Sequence, residues 1–598
     1  MLTSLIRRVS SFTYLNITQF LGALNDNVYK LLIVYFLIDR EGIENGHKIL
    51  ALTGAIFVLP FLFFSAFSGL MADRYSKRNI IAFTKILELF VMILGIAAFW
   101  YESRWGSYMI LFLMAAQTAL FGPSKYGILP ELVPQEKISK SNGLMTSFTF
   151  LAIISGTFFA SFLVDISNRN FIAAAIFCAF VALIGVISSF CIEYTPPAGS
   201  SKKFDTRFLH EIFGTLKMAS QYPSLLMAVC GSAFFLFLGA FVQLNMIPFA
   251  TKSLHLTDIQ GGYLFLLTAL GIGTGAMLAG KISGRMVELG LVPIAALGVA
   301  ISCYLIDMFS SNLMLVIPLV IIVGFFGGMY EIPLDSYVQV ASPKKSRGQM
   351  VAATNFLSYV GVLFASGTLY LTEEIMGFSP EQGFGIIGTL TLFVTVLIGY
   401  QYFDYLTRFI GMILSRLHFH VNYYGLNNIP DTPAIYVCTH IAWNDTLLML
   451  GAQRRRLRFF IQQEQDHGSK FMRRLYRLLR VVFIPDIEPL EKNEACLMAI
   501  KKTLDKGISV CIFVENTSIE NEIDKLNRSY SFRRILDETH YPIVPVTISK
   551  GVKDKKVRFL VWLWEKFHIP ASIAFNVKIP GVQPIPEDFE DELWLTTE

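Results

Sequence analysis

Cysteine is scarce in this chain. Seven are scattered over 598 residues with no CxxC pair, so neither a zinc site nor a disulfide framework is indicated, and no metal site is expected. A strong charge of one sign is missing too. The formal net charge is only +5, too small to argue for nucleic acid as a partner. No cleavable leader is expected, because the first apolar run, roughly Phe12 to Ile38, is too long for a signal-peptide core and no small-residue cleavage site follows it. A phosphate-binding loop is also excluded. Gly275-Ala276-Met277-Leu278-Ala279-Gly280-Lys281 fits its first seven places, but Ile282 stands where Ser or Thr is required and the segment is an apolar span. With Gly271 it reads as a small-residue packing face.

Apolar surface is what the chain has in plenty. Hydrophobic residues make up 54% and mean hydropathy is +0.52, high for a soluble protein yet an average over two unlike parts. A seam near residue 405 separates them. Before it, apolar runs of membrane-crossing length can be read at 12–38, 49–72, 79–100, 106–123, 143–166, 170–192, 225–250, 260–282, 291–309, 313–338, 349–373 and 383–406. Loop charge then sets the orientation. About seventeen Lys and Arg, among them Arg7, Arg78, Lys137, Lys202 and Arg347, fall on one side, against about five on the other. Both termini and everything beyond the seam are therefore expected in the cytoplasm.

The polar connection 193–224 divides the membrane part, 1–405, into halves 1–192 and 225–405 of six runs each. Gly69-Leu70-Met71-Ala72-Asp73-Arg74-Tyr75-Ser76-Lys77-Arg78 links runs two and three. Gly280-Lys281-Ile282-Ser283-Gly284-Arg285 holds the matching place in the second half. Such a repeat suits a two-bundle rocking carrier with its substrate near the midplane. The first string resembles the loop signature of the major facilitator superfamily, which implies a gate latch built from Gly69, Asp73, Arg74 and Arg78. Further strings are Asn25-Asp26-Asn27 in run one, Pro123-Ser124-Lys125-Tyr126-Gly127-Ile128-Leu129-Pro130-Glu131-Leu132 after run four, Ser141-Asn142-Gly143-Leu144-Met145, and Gly327-Gly328-Met329 with Ile332-Pro333-Leu334 in run ten. Together they resemble the bacterial lysophospholipid transporters, over most of residues 10–400. The resemblance implies a multi-pass protein of a bacterial inner membrane that moves lysophospholipid to the cytoplasmic leaflet.

A charge in hydrocarbon is unfavourable by on the order of 3 kcal/mol or more unless it is paired. Lys85 and Glu88, at i,i+3, read as such a pair. Asp26 and Lys30 stand one turn apart and can pair likewise, but the flanking Asn25 and Asn27 make a polar notch that favours substrate binding by Asn25 and Asp26. Glu331 and Asp335, one turn apart in run ten, have no nearby cation in sequence. They find one across the bundle, bind a substrate ammonium, or lie at the gate. A zwitterionic head group needs both signs, which Asp26 with Lys125 would supply.

Beyond the seam, residues 406–598 begin with an aromatic and aliphatic stretch, Tyr402 to His420, that reads as a linker helix in the membrane surface. An α/β alternation follows, with strands at 434–439, 457–461, 481–484, 508–513 and 542–548, apolar throughout as when helices cover both faces. His440 follows the first strand and Asp445 comes five residues later. On one regular helix they would point apart by about 140°. They meet only if His440 sits in the turn and Asp445 in the first turn of the next helix. There a neutral imidazole can accept a proton from an acceptor hydroxyl while the carboxylate orients it.

With Phe513-Val514-Glu515-Asn516 and Ile543-Val544-Pro545-Val546-Thr547-Ile548, this HxxxxD string resembles the glycerolipid acyltransferases over residues 415–580. The resemblance implies His440 and Asp445 as catalytic, and Glu515, Asn516 and Arg528 at the acceptor. Val514 and Asn516 depart from that family's Pro and Gly, and Arg528, Arg533 or Arg534 would replace its missing arginine. The fold expected is thus a membrane all-α, 12-span major facilitator-type two-bundle transporter followed by a cytoplasmic α/β acyltransferase domain. No bound cofactor is expected. The acyl donor is an acyl carrier protein thioester or acyl-CoA, made elsewhere, since no adenylate-forming domain is foreseen. Nine basic residues in Arg454–Arg480, against Glu464 and Asp466, form a solvated face, a surface for anionic lipid, or a dock for acyl carrier protein. Expected partners are lysophospholipid, membrane lipids, and acyl carrier protein or a separate acyl-activating enzyme. The leading function expected is carriage of lysophospholipid, lysophosphatidylethanolamine and related lipids foremost, to the cytoplasmic leaflet and its reacylation to diacyl phospholipid. The alternatives are a transporter with a catalytically silent docking or regulatory tail, and an acyltransferase that the membrane part merely anchors.

Overall fold

Lipid leaves the backbone of an apolar stretch one local way to satisfy its own N–H and C=O groups, the α-helix. Twelve helices among the described residues are long and apolar enough to cross a membrane. The structure is a computed structural model, and it describes residues 10–42, 45–202, 208–284, 286–425, 428–430, 432–439, 445–452, 456–462, 482–484, 494–514, 541–550 and 569–575. The chain divides into two units, Met1–Tyr402 and Phe403–Glu598.

The first unit runs α1 Ser11–Glu41, α2 Gly46–Arg74, α3 Lys77–Trp100, α4 Arg104–Gly127, α5 Ile138–Ile166 and α6 Phe171–Phe190. A short amphipathic helix, α7 Phe208–Ser220, lies in the connection between halves. The second half follows as α8 Pro223–Pro248, α9 Asp258–Ser283, α10 Leu291–Met308, α11 Leu313–Ala341, α12 Arg347–Tyr370 and α13 Pro380–Gln401. Each half has its own apolar core, one including Val28, Phe99, Leu111 and Cys178, the other Phe241, Val299, Val320 and Phe384. The Gly-rich stretch of α9 is a packing face. A Cβ on Gly271 would lie 2.2 Å from the Ile321 carbonyl oxygen, so only a hydrogen lets α9 and α11 approach this closely.

Several contacts join the halves toward the Asp73 end of the bundle. Asn142 Nδ2 donates to Gln339 Oε1 at 3.1 Å and to Ser336 Oγ at 3.0 Å, and Ser147 Oγ donates to the Gly273 carbonyl at 2.6 Å. At the opposite ends the ion pairs stay within one half, as in Arg104–Glu41 at 3.0 Å and Lys252–Glu373 at 3.8 Å. The polar contacts between the halves named here thus lie toward the Asp73 end, and the ion pairs at the opposite ends do not cross between halves.

The second unit opens with α14 Phe403–His418, then β1 Phe419–Tyr424, β2 Ile435–Thr439, α15 Asp445–Ala452, β3 Leu457–Gln462, β4 Val482–Ile484, α16 Glu494–Asp505, β5 Ser509–Val514, β6 Ile543–Lys550 and β7 Ile569–Phe575. Arg408, Gly411 and Ser415 on α14 are buried, while Ile410, Ile413, Leu414 and Leu417 are exposed. The strands form one sheet in the order β1-β7-β6-β2-β5-β3-β4, parallel throughout except where β7 meets β6. Two of its strands were not expected from the sequence. β1 alternates apolar with polar residues and merges with the apolar linker before it. β7 carries Pro570, which demotes a run as a strand.

Candidate functional site

In the first unit, α4, α8, α11 and α12 line a cavity of about 220 Å³ whose lining includes Lys125, Tyr126, Ser232, Glu331, Asp335, Asn355 and Tyr359. Three expected binding residues, Lys125, Glu331 and Asp335, therefore converge although about 200 positions separate the lysine from the acids. Lys125 Nζ stands over the Tyr126 ring, 4.3 Å from its centroid. Ser232 Oγ donates to Asp335 Oδ1 at 3.3 Å. Glu331 is 8% exposed and its Oε2 is buried with no hydrogen-bond partner among the described residues. Phe61 of α2 and Tyr359 of α12 stack at 4.0 Å and close one wall.

Asp26 is not part of that lining. Its Oδ2 accepts from Thr118 Oγ1 at 3.0 Å, and Thr118 does line the cavity. The Lys30 ammonium lies over Phe57 at 5.2 Å, and no ion pair with Asp26 occurs among the described residues. Asn25 turns elsewhere, donating a long 3.4 Å bond to Glu88 Oε1. There Lys85 Nζ meets Glu88 Oε2 at 2.6 Å, with the two side chains 1% and 2% exposed. Gln117 also reaches this carboxylate, at 3.5 Å. That cluster neutralises itself, as the i,i+3 spacing implied.

In the string Gly69 to Arg78, Asp73 Oδ1 accepts from the Gly348 amide at 2.6 Å. Its Oδ2 accepts from the Gln349 amide at 2.9 Å and from Gln349 Nε2 at 3.2 Å. A carboxylate from the first half thus caps the positive end of α12 in the second. Gly69 lets the two helices approach, since a Cβ there would sit 2.5 Å from Ala352 Cβ. Arg78 works within its own half, donating to the carbonyls of Ile192 at 3.2 Å and Phe190 at 2.9 Å, and Arg74 lies over Tyr75. Lys77, buried, pairs with Glu131 of the long string at 2.5 Å.

Sequence reasoning missed Thr118, Ser232, Asn355 and Tyr359 as cavity residues. Their signal was faint, being polar groups inside apolar runs.

In the tail, His440, Glu515, Asn516 and Arg528 lie outside the described residues, as do Arg533 and Arg534. The frame around them is described. β2 ends at Thr439 and α15 begins at Asp445. β5 lies beside β2 in parallel with Thr439 opposite Val514, and β6 flanks β2 on its other side with Cys438 opposite Val546. The strands bearing the three quoted blocks are therefore neighbours at the centre of the sheet. Ligands of open α/β sheets bind beyond the carboxyl ends of such strands. Asp404 and Arg458 join α14 to β3 at 3.3 Å.

Residues 15–366 match the family model of the Major Facilitator Superfamily, and residues 420–549 match that of Acyltransferase. Over 377 residues the chain is 26% identical to the lysophospholipid transporter of Klebsiella pneumoniae (strain 342), spanning 62% of this chain and 91% of that one. Over 390 residues it is 24% identical to the lysophospholipid transporter of Photorhabdus laumondii, spanning 64% and 93%. Among solved structures it is similar to the fucose:proton symporter of E. coli, with a TM-score of 0.54 at 13% identity over 65% of this chain and 98% of that one. A human organic anion transporter gives 0.55 at 15% over 66% and 99%. These last two likenesses speak to fold alone.

Proposed function

The chain belongs to the major facilitator superfamily, and from that premise we propose that it carries lysophospholipid, lysophosphatidylethanolamine foremost, to the cytoplasmic leaflet of a bacterial inner membrane, where its tail restores the missing acyl chain. One observation carries this reading. A carrier similar to lysophospholipid transporters over about nine-tenths of their length is joined, in one chain, to a domain of acyltransferase type. The cavity supplies both signs of charge for a zwitterionic head group. At about 220 Å³ it falls below the roughly 300–1,000 Å³ of clefts that swallow whole drug-sized ligands, so it takes the head group and leaves the acyl chain outside. The exposed apolar stripe of α14, which begins two residues after the last spanning helix, suits a helix lying in a membrane surface.

In the tail, His440 removes the proton from the lysolipid hydroxyl as its oxygen attacks the thioester carbonyl of an acyl carrier protein or coenzyme A donor. The ester C–O bond forms, the C–S bond breaks, and the thiolate leaves with the proton. Asp445 orients the imidazole, and Glu515, Asn516 and Arg528 hold the acceptor. A silent docking tail is the competing reading, favoured by Val514 and Asn516 where active relatives of this type would have Pro and Gly.

Labelled lysophosphatidylethanolamine supplied to spheroplasts separates the two. Label should appear as diacyl lipid with the whole chain, and as unconverted lysolipid when residues 406–598 are removed. Uptake without conversion by the whole chain would leave the silent tail standing, and no uptake would sink the carrier.

A further inference from the structure

We propose that Lys202 and α7, in the connection between the halves, form a strap that clips α2 to α12, so that α7 must come off the seam between these helices before the Asp73 end can open. The inference goes beyond the function proposed above, because it is the same whatever the cargo.

A connection that merely tethers two six-helix halves needs no contact with either. This one is fastened to both. The Ser200 amide donates to the Asp73 carbonyl oxygen at 3.3 Å, in the first half. Two residues on, Lys202 Nζ donates to Gln349 Oε1 at 3.0 Å, in the second. Gln349 is also the residue whose amide and side chain hold the Asp73 carboxylate, so the lysine braces that contact. Lys202 pairs in addition with Glu211 of α7, which joins the two parts of the strap.

Apolar groups on α7 repeat the bridge. Ile212, Thr215 and Ala219 form its buried face, at i, i+3 and i+7. Ile212 shares one cluster with Ala66 of α2 and Ala353 of α12. The Phe208 ring stands edge-on to Phe63 of α2, 6.2 Å between centroids, and to Phe356 of α12 at 6.5 Å. Ser346 Oγ, one residue before α12, donates to Met218 Sδ at 3.6 Å. Parting α2 from α12 therefore strips Ile212 and Phe208 of their neighbours on one side, and those contacts are lost outright. The clip is also releasable. With 13 residues, α7 has a length at which an isolated helix is marginal in water, so it keeps its shape by virtue of this seat.

The test uses the whole chain in sealed membrane vesicles, with a small charged thiol reagent applied to the Asp73 face. Val338→Cys is the reporter of opening, because Val338 lines the cavity and is 2% exposed. Ala353→Cys, buried beside Ile212, reports departure of α7. Rates are corrected for the same chain without the introduced cysteine. Lys202→Met should speed labelling of both reporters about fivefold, the usual effect of one lost hydrogen bond. Ile212→Ser should speed it further, while Lys202→Arg, which keeps both polar contacts, should leave the rates unchanged. Faster labelling at Ala353→Cys with an unchanged rate at Val338→Cys would overturn the proposal, since α7 would then leave the seam without consequence. Unchanged labelling of both reporters in Lys202→Met and Ile212→Ser would overturn it as well. Should Ile212→Ser fail to accumulate, Lys202→Met decides alone, its side chain being 41% exposed and replaceable without disturbing the fold.

Discussion

Lys125, Glu331 and Asp335 reach their cavity from within regular helices, whereas the candidate pair of the tail is close in sequence, His440 following the last residue of β2 in the chain and Asp445 opening α15. The difference follows from the solvent each unit meets. In lipid the backbone cannot leave the helix without exposing unpaired N–H and C=O groups, so polar side chains must be brought in from spans far apart in sequence. In an α/β sheet the chain can turn at strand ends, and residues close in the sequence can come together there. The carrier contains its own contrast as well. Lys85 and Glu88 satisfy each other at 2.6 Å, while Glu331 Oε2 has no hydrogen-bond partner among the described residues.

The largest effect is expected where the two units are claimed to act separately. His440→Ala in the whole chain should lower acyl transfer to lysophospholipid by about 10²–10⁴-fold, the usual contribution of a general base, and Asp445→Asn should lower it heavily too. Uptake of label should continue in both variants. Loss of uptake alongside acyl transfer would show that the units are coupled and break the comparison.

Lys85→Ala tests whether the paired cluster is structural. Removing one partner of a buried ion pair costs about 3–5 kcal/mol by leaving the other charge unmatched. The expected result is less folded protein in the membrane and a lower melting temperature in detergent, with uptake per folded molecule preserved. Normal abundance with abolished uptake would move Lys85 and Glu88 into the transport site.

A smaller change is expected at Asp73. Asp73→Ala removes three hydrogen bonds to the start of α12, each worth on the order of 1 kcal/mol net. The carrier should then spend more time open on the Asp73 side, read as faster cysteine labelling at introduced positions there and slower labelling at the far end. Unchanged labelling at both ends would reduce the string to a turn.

Much of this was legible in one dimension because the forces are local. A run of about twenty apolar residues has one solution in a bilayer, so the spans and the division into halves could be read directly. Lys85 and Glu88 were readable as a pair because helical spacing alone puts them on one face. The end of a strand at Thr439 followed from an apolar run meeting a polar string, with a helix expected from Trp443 and described from Asp445. What tertiary structure alone decided depends on which helices and strands become neighbours. It put Lys125 opposite Glu331 and Asp335, set Thr118 between Asp26 and the cavity, turned Asn25 toward Glu88, and drew Asp73 onto the amides of Gly348 and Gln349. In the tail it placed β2 between β5 and β6, bringing together strands that the chain visits far apart. Such neighbours are chosen by packing over the whole core, through small residues such as Gly69 and Gly271 that permit close approach, and no local spacing records that choice.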